Sequence, residues 1–147
     1  ERYHFTPDLS GAGKWRGGSG MVWEVRNLGG DARIATGSSD GDLTQPAGAA
    51  GGDPGPLSKM YIRRGEEIET VRTHRMIEVK TGEVLGKVSG GGGGVGVPFE
   101  REPSAVQRDV ADGYISIEVA ERVYGVAIDE ATTTIDEDLT KRLRGTD

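Results

Sequence analysis

Alternating apolar and polar residues recur in short stretches through the first 88 positions, and glycine clusters separate these stretches. In one of them, Met21, Trp23 and Val25 fall on one side and the residues between them fall on the other. This two-residue period is typical of a half-buried strand. Positions 60–62 predict a second strand that runs into a turn, and the run 68–79 predicts one long strand. Helices need longer uninterrupted stretches, so this part is predicted to be mainly short antiparallel strands.

The segment 38–56 departs from this pattern, since it contains Gly, Pro, Asp and Ala and only one large apolar residue, Leu43. Such a segment has too little apolar material to form a core of its own. We therefore expect a long surface loop that becomes ordered on another surface.

Five consecutive glycines, Gly90 to Gly94, open a second break in the pattern that ends near Pro98. Three interpretations are open: close backbone packing, a flexible linker, and a loop that cradles a ligand. Val88, Val95 and Val97 flank the run with apolar groups that favour burial. This flanking favours close packing against another surface.

Helical signals follow the glycines. Pro103 suits a first helical turn, Ser104 and Gln107 have capping-box spacing, and the pattern predicts a helix over 103–111. Ser116 predicts the N-cap of a second helix that stops at Gly125. A third helix is predicted in the tail, where 134 and 137 have capping-box spacing and acids precede bases.

These patterns together predict the α+β class, with a Gly-rich, mainly β N-terminal part followed by short C-terminal helices. We expect a β-rich part over 1–88 that contains the long loop 38–56. A glycine-rich connection over 89–98 leads to a short helical part over 99–147 that packs on a partner subunit.

Composition narrows the class of protein. Glycine supplies 25 of 147 residues, whereas aromatic residues supply only 2 Phe, 2 Trp and 4 Tyr, so the chain has little bulky core material. The net charge of −6 is opposite in sign to a nucleic-acid-binding surface. The chain has no Cys and no apolar run long enough for a membrane span. We expect a cytoplasmic protein without a nucleic-acid or membrane partner.

Motifs for nucleotide and biotin binding fail in this sequence. A phosphate-binding loop ending at Gly13-Lys14 would need Gly at position 8 and Ser or Thr at position 15, where Asp8 and Trp15 stand. The glycine run matches a dinucleotide motif only because nearly every position is glycine, and Pro98 rather than a helix start follows. Lys59 follows Ser58, not the Met of a biotin-accepting lysine.

Metal and catalytic constellations are not recognisable either. His4 and His74 lie 70 positions apart, and the acids Asp40, Asp42 and Asp53 lack the spacing of a calcium loop. The basic residues at 63, 64, 72 and 75 are expected to pair with nearby carboxylates. We therefore assign no catalytic, cofactor-binding or metal-binding residue to this chain.

Four strings, read in order, resemble the hydantoinase B/oxoprolinase family and span nearly the whole chain. They are GAGKWRGGSGMVWE (11–24), PAGAAGGDPG (46–55), GGGGVGVPFEREP (91–103) and DVADGYISIEVAERVYGV (109–126). The resemblance implies the C-terminal region of a longer subunit. Its candidate interface or structural residues are Arg16, Gly17, Gly18, Gly91, Gly92, Gly93, Gly94, Gly96, Tyr114 and Tyr124.

The resemblance also implies a function. A separate chain of this kind is similar to a small accessory subunit of an ATP-dependent, biotin-independent carboxylase complex that acts on an aromatic ketone. Larger hydantoinase A-like and B-like subunits would be its partners, and they would bind ATP and a divalent cation, Mg²⁺ or Mn²⁺. Two alternatives stay open: a piece of an ATP-dependent hydantoinase or 5-oxoprolinase, and a binding module without an enzyme partner.

Overall fold

The computed structural model describes residues 1–36 and 41–145. Strands occupy the first part of this range, in agreement with the predicted α+β class. In chain order they are β1 (Arg2–Phe5), β2 (Met21–Arg26), β3 (Ala32–Ala35), β4 (Lys59–Arg64), β5 (Glu67–Val71), β6 (Met76–Val79) and β7 (Val84–Val88).

Two antiparallel sheets form from these strands. The larger has the order β1-β2-β7-β4-β5, and the smaller pairs β3 with β6. Met60, Ile62 and Leu85 project from one face of the larger sheet and pack with Val79 of the smaller sheet in a buried cluster. Ile34, in β3, packs against the same cluster. The alternation of these strands thus buries one face of the larger sheet and leaves the other outside this core.

The prediction of one long strand over 68–79 was wrong. The chain turns between β5 and β6, which belong to different sheets, and His74 takes a left-handed φ of 56° at the bend. Hydrogen bonds hold this bend, since Asp42 accepts from the Thr73 hydroxyl at 2.7 Å and Thr36 accepts the His74 amide at 2.8 Å. Period-two alternation alone does not reveal a bend that side chains distant in sequence stabilise.

The predicted loop over 38–56 is irregular in its described part, 41–56. Positions 38–40 of that prediction lie outside the described residues. Asp42 anchors the beginning of the loop through Thr73, and the backbone from 46 to 55 lies beside the glycine run described below.

Three α-helices and one 3₁₀ turn follow the glycines. They are the turn Pro98–Glu100, α1 (Pro103–Ala111), α2 (Ile117–Tyr124) and α3 (Glu137–Arg144). The bounds of α1 and the Ser116 cap of α2 are as predicted, and Gly125 ends α2 in the left-handed conformation with φ of 63°.

Two predicted capping boxes were wrong. The N-cap of α1 is Glu102, which makes no side-chain capping bond, and Gln107 instead donates to the carbonyl of Thr133 at 2.7 Å. The N-cap of α3 is Asp136, whose carboxylate accepts from the Leu139 amide at 2.9 Å. Spacing identified the helices but not the residue that caps them.

A second buried cluster joins the helices to the N-terminal segment. Val106 of α1 and Tyr124 of α2 are at most 1% exposed, and they pack with Ala12, Ile115 and Val126. Across the part of the chain that the structure describes, every helix is too short or too polar to cross a membrane.

Candidate interface site

Three backbone segments lie side by side and are joined by hydrogen bonds, and we call this arrangement the glycine layer (11–20, 46–55 and 90–96). The glycine run 90–96 is its middle segment. On one side, the Gly11 amide donates to the Gly92 carbonyl at 2.8 Å, and the Gly92 amide donates to Gly18 at 2.9 Å. Trp15 and Val95 exchange reciprocal 2.9 Å hydrogen bonds at its end.

The loop segment 46–55 supplies the other side of the glycine layer. The amides of Ala49 and Gly96 form 2.9 Å bonds to Gly94 and Ala49 respectively, and the Gly94 amide donates to Asp53. The Asp53 amide in turn donates to Ala12 at 2.7 Å, so that all three segments are cross-linked. This described part of the long loop is therefore held by the chain itself.

Close approach of the backbones explains why glycine is required here. A Cβ at Gly17, Gly91, Gly93 or Gly94 would overlap backbone atoms of the neighbouring segment. Gly92 is more tolerant, since the nearest atom to its Cβ would be the Gly18 nitrogen at 3.3 Å. Such overlaps cannot relax by side-chain rotation, so the layer depends on residues without a Cβ.

Close packing of the glycine run is confirmed, but the reason given for it was wrong. Val95 and Val97, which were expected to be buried, are 44% and 43% exposed. The backbone of the run is packed, whereas the two valines at its C-terminal end remain on the surface.

Three amides of the glycine run are not available to a phosphate group. A phosphate-binding loop needs free backbone amides directed at the ligand. Here the amides of Gly92, Gly94 and Gly96 all donate to carbonyl oxygens of the neighbouring segments. Among residues 1–36 and 41–145, moreover, no group of three or more His, Asp or Glu residues is placed to bind a metal ion.

A buried ion cluster fixes the helices to the glycine layer. Asp109 of α1 accepts a 2.8 Å hydrogen bond from Arg101, and its same oxygen lies 3.3 Å from the Nε of Arg16. The three side chains are only 10–13% exposed. Arg101 also donates to the Lys14 carbonyl and Arg16 to the Ser19 hydroxyl. The cluster therefore joins segment 14–19 to α1.

Both predicted tyrosines belong to this region. The guanidinium carbon of Arg16 lies 4.7 Å from the centre of the Tyr114 ring, which is close enough for a cation–π interaction. Tyr124 is 1% exposed, and burial raises the pKa of its phenol above 10.0. The structure thus brings Arg16 and Tyr114 together and places Tyr124 under the adjoining segment.

Sequence reasoning missed Asp109 and Arg101. A signal was present, because Val106, Asp109 and Val110 have the i, i+3, i+4 spacing of one helix face. A carboxylate on an apolar face requires a buried partner, and Arg101 and Arg16 supply it.

An exposed apolar patch lies at one end of the glycine layer, and we call it the apolar end (Trp15, Val95 and Val97). Trp15 is 68% exposed and is paired directly with Val95. Val97 lies against the loop, where a Cβ at Gly51 would be 3.1 Å from its Cγ2. Grouped apolar side chains of this kind are typical of a protein contact surface.

The chain belongs to the hydantoinase B/oxoprolinase family, whose family model matches residues 1–98. It is 36% identical over 146 residues to the B component of a putative D-/L-hydantoinase from Pseudomonas sp. (strain NS671), covering 97% of this chain and 24% of that relative. It is also 36% identical to the beta component of the caprolactamase from Pseudomonas jessenii, with coverage of 87% and 23%. The family expected from the four motifs is confirmed.

Solved structures show the same fold. The ATP-dependent caprolactamase from Pseudomonas jessenii matches with a TM-score of 0.83 and 32% identity over 99% of this chain and 26% of that one. A nucleotide-free acetone carboxylase matches with a TM-score of 0.69 and 21% identity, covering 97% and 24%, and shows the fold alone. The chain spans about a quarter of the length of these relatives.

Proposed function

We propose that this chain is a structural part of an ATP-dependent complex that hydrolyses cyclic amides. One observation carries the proposal: nearly the entire chain aligns, at 32–36% identity, with a component of a hydantoinase and with an ATP-dependent caprolactamase. The names of both relatives refer to rings that contain an amide bond. The hydantoinase or 5-oxoprolinase alternative, in which a cyclic amide is hydrolysed, is therefore favoured over the carboxylase interpretation.

The geometry supports a structural role for the chain. The glycine layer is a dense backbone scaffold, fixed to the helices by the Asp109 cluster, and the apolar end presents Trp15 to a partner. Rigid scaffolds with exposed aromatic anchors are well suited to protein contacts, because little ordering entropy is lost on binding. In this proposal, larger hydantoinase A-like and B-like chains pack on the apolar end.

Those larger chains hold ATP and a divalent cation, Mg²⁺ or Mn²⁺, in the proposed complex, and no biotin is needed. The amides of Gly92, Gly94 and Gly96 support this division of roles, since they donate to carbonyl oxygens of this chain. Because the reaction consumes ATP, we assign the complex to the cytoplasm.

A carboxylase is the second candidate. It would make this chain a counterpart of the small gamma subunit of an acetophenone carboxylase, which joins acetophenone and bicarbonate to form benzoylacetate at the expense of ATP. The motif resemblance supports it, and the shared fold with an acetone carboxylase is compatible with it. A binding module without an enzyme partner is the third candidate.

Substrate-dependent ATP cleavage by the purified complex separates the three candidates. The chain is tagged, recovered from native cells with its bound partners, and assayed for ADP release with hydantoin, caprolactam, 5-oxoproline, or acetophenone with bicarbonate. We expect a cyclic amide to stimulate ADP release. Stimulation only by the ketone with bicarbonate would establish the carboxylase, and recovery of the chain without larger partners would favour the binding module.

A further inference from the structure

The face of the larger sheet that does not pack on β3 and β6 is strongly basic. Cross-strand pairing places Arg2, Arg26, Lys59 and Arg63 on this face, together with the carboxylate of Glu24. We call it the basic face. Its charge is opposite in sign to the net charge of −6 on the whole chain.

Glu24 organises the basic face from below. Its carboxylate is buried and accepts hydrogen bonds from the Tyr61 hydroxyl at 2.8 Å and from Arg63 at 3.1 Å, while Arg2 lies 3.9 Å away. A fixed guanidinium keeps further N–H donors for a second acceptor. Arg63 is therefore held in place before any partner binds, and Arg2 lies beside the same carboxylate.

The structure contains one example of a carboxylate bound at this surface. The side chain of Glu1 forms ion pairs with Arg26 and, at 3.5 Å, with Arg63. These two arginines lie on different strands, β2 and β4, so the carboxylate spans the sheet between them. The basic face thus binds the Glu1 carboxylate in addition to the buried carboxylate of Glu24.

The width of the basic face determines the kind of partner. Its cations are distributed from β1 to β4, which are three strand spacings apart in the order β1-β2-β7-β4. At about 4.8 Å per spacing, this distance is roughly 14 Å. One small carboxylate cannot reach across it, whereas several acidic side chains on one protein segment can.

We propose that the basic face binds an acidic segment of a partner protein. Charge complementarity supports this occupant, and the exposed Ile68 at the border of the face adds an apolar contact. The Glu1 carboxylate that is bound at this surface and the apolar side chain of Ile68 at its border favour a protein segment over nucleic acid. The identity of the partner as one of the larger chains rests on the proposed function, but the chemistry of the face does not.

A labelled decaglutamate peptide tests the chemistry directly, with binding measured by fluorescence anisotropy in 50 and 300 mM NaCl. The test variant is Arg2→Gln/Lys59→Gln, which removes two exposed cations from the face. The matched control is Arg33→Gln/Arg142→Gln, which removes two exposed cations elsewhere. We expect at least fivefold weaker binding for the test variant, a change within twofold for the control, and weaker wild-type binding in high salt.

Three results would overturn the proposal: no peptide binding by the wild type, equal weakening by both variants, or tighter binding of a ten-phosphate oligonucleotide than of the peptide. The same variants are then compared for binding to the larger chains. If those chains bind the wild type and the test variant equally, the inference fails while the proposed function stands. If they do not bind the wild type, the proposed function fails, and the peptide assay alone decides the inference.

Discussion

The hydroxyl of Tyr61 reaches across β7 to Glu24, to which it donates a 2.8 Å hydrogen bond. It can do so because Gly86, which is paired with both residues, has no side chain to block the path of the Tyr61 ring over β7. A Cβ at Gly86 would overlap the Tyr61 ring. The buried carboxylate of Glu24 therefore depends on a glycine that lies in a different strand.

We predict that Gly86→Ala destabilises the fold by about 1–3 kcal/mol, because the added methyl group displaces Tyr61 and leaves Glu24 with one fewer donor. Urea unfolding measures the change. Gly30→Ala is the control, since a Cβ there would meet no atom within 4 Å. Equal stability of the two variants would contradict the role assigned to Gly86.

Alanine substitutions at two glycines of the run are predicted to differ sharply in their effect on stability. Gly94→Ala should destabilise by about 3 kcal/mol, because its Cβ would overlap the Ala12 carbonyl, whereas Gly92→Ala should cost much less. Thermal unfolding of the two variants compares the same substitution two positions apart. A flexible linker would tolerate both, and that result would refute the packed glycine layer.

A third prediction concerns the contribution of the Asp109 cluster to stability. Asp109→Asn leaves Arg16 and Arg101 buried without a counter-charge, and we expect a loss of about 3 kcal/mol in unfolding free energy. Glu118→Gln removes one member of an exposed ion pair with Arg122 and should change stability by less than about 0.5 kcal/mol. Similar losses of unfolding free energy in the two variants would contradict the stabilising role assigned to the Asp109 cluster.

Alkaline pH provides a fourth prediction. Burial, together with the bond to Glu24 in the case of Tyr61, raises the pKa of Tyr61 and of Tyr124 above 10.0 in the folded chain. The folded chain thus favours the neutral phenols. Their contribution to the free energy of unfolding is present below pH 10 and is lost as the pH rises through the raised pKa values of the two tyrosines. Urea midpoints should therefore fall above pH 10. In the Tyr61→Phe/Tyr124→Phe variant, the urea midpoint should decrease less above pH 10. A decrease as large as in the wild type would contradict an origin in the ionisation of these tyrosines.

Local signals predicted the helices well. Pro103, Ser116 and Gly125 act through steric and capping effects within a few residues, so the bounds of α1 and the cap of α2 were predictable. The glycine run was correctly interpreted as packed, although Val95 and Val97, on which that interpretation rested, are exposed.

Long-range relationships were not predictable from the pattern. The partners of the glycine run, segments 11–20 and 46–55, are far from it in the chain, and nothing in the local sequence specifies that pairing. The bend at His74 depends on Asp42 and Thr36, which are likewise distant. Both the ion cluster and the Tyr61–Glu24 bond form only when separate segments meet.

The most direct test of the proposed function is a reconstitution. The larger chains recovered from native cells are stripped of this chain, and ADP release with a cyclic amide is measured as the chain is added back. We predict a saturable rise with the wild type, a shift to at least tenfold higher concentration for Trp15→Ser at the apolar end, and no shift for Leu28→Ser, an exposed residue elsewhere. Full activity of the larger chains without this chain, or ATP hydrolysis by this chain alone, would contradict its role as a structural part of the complex.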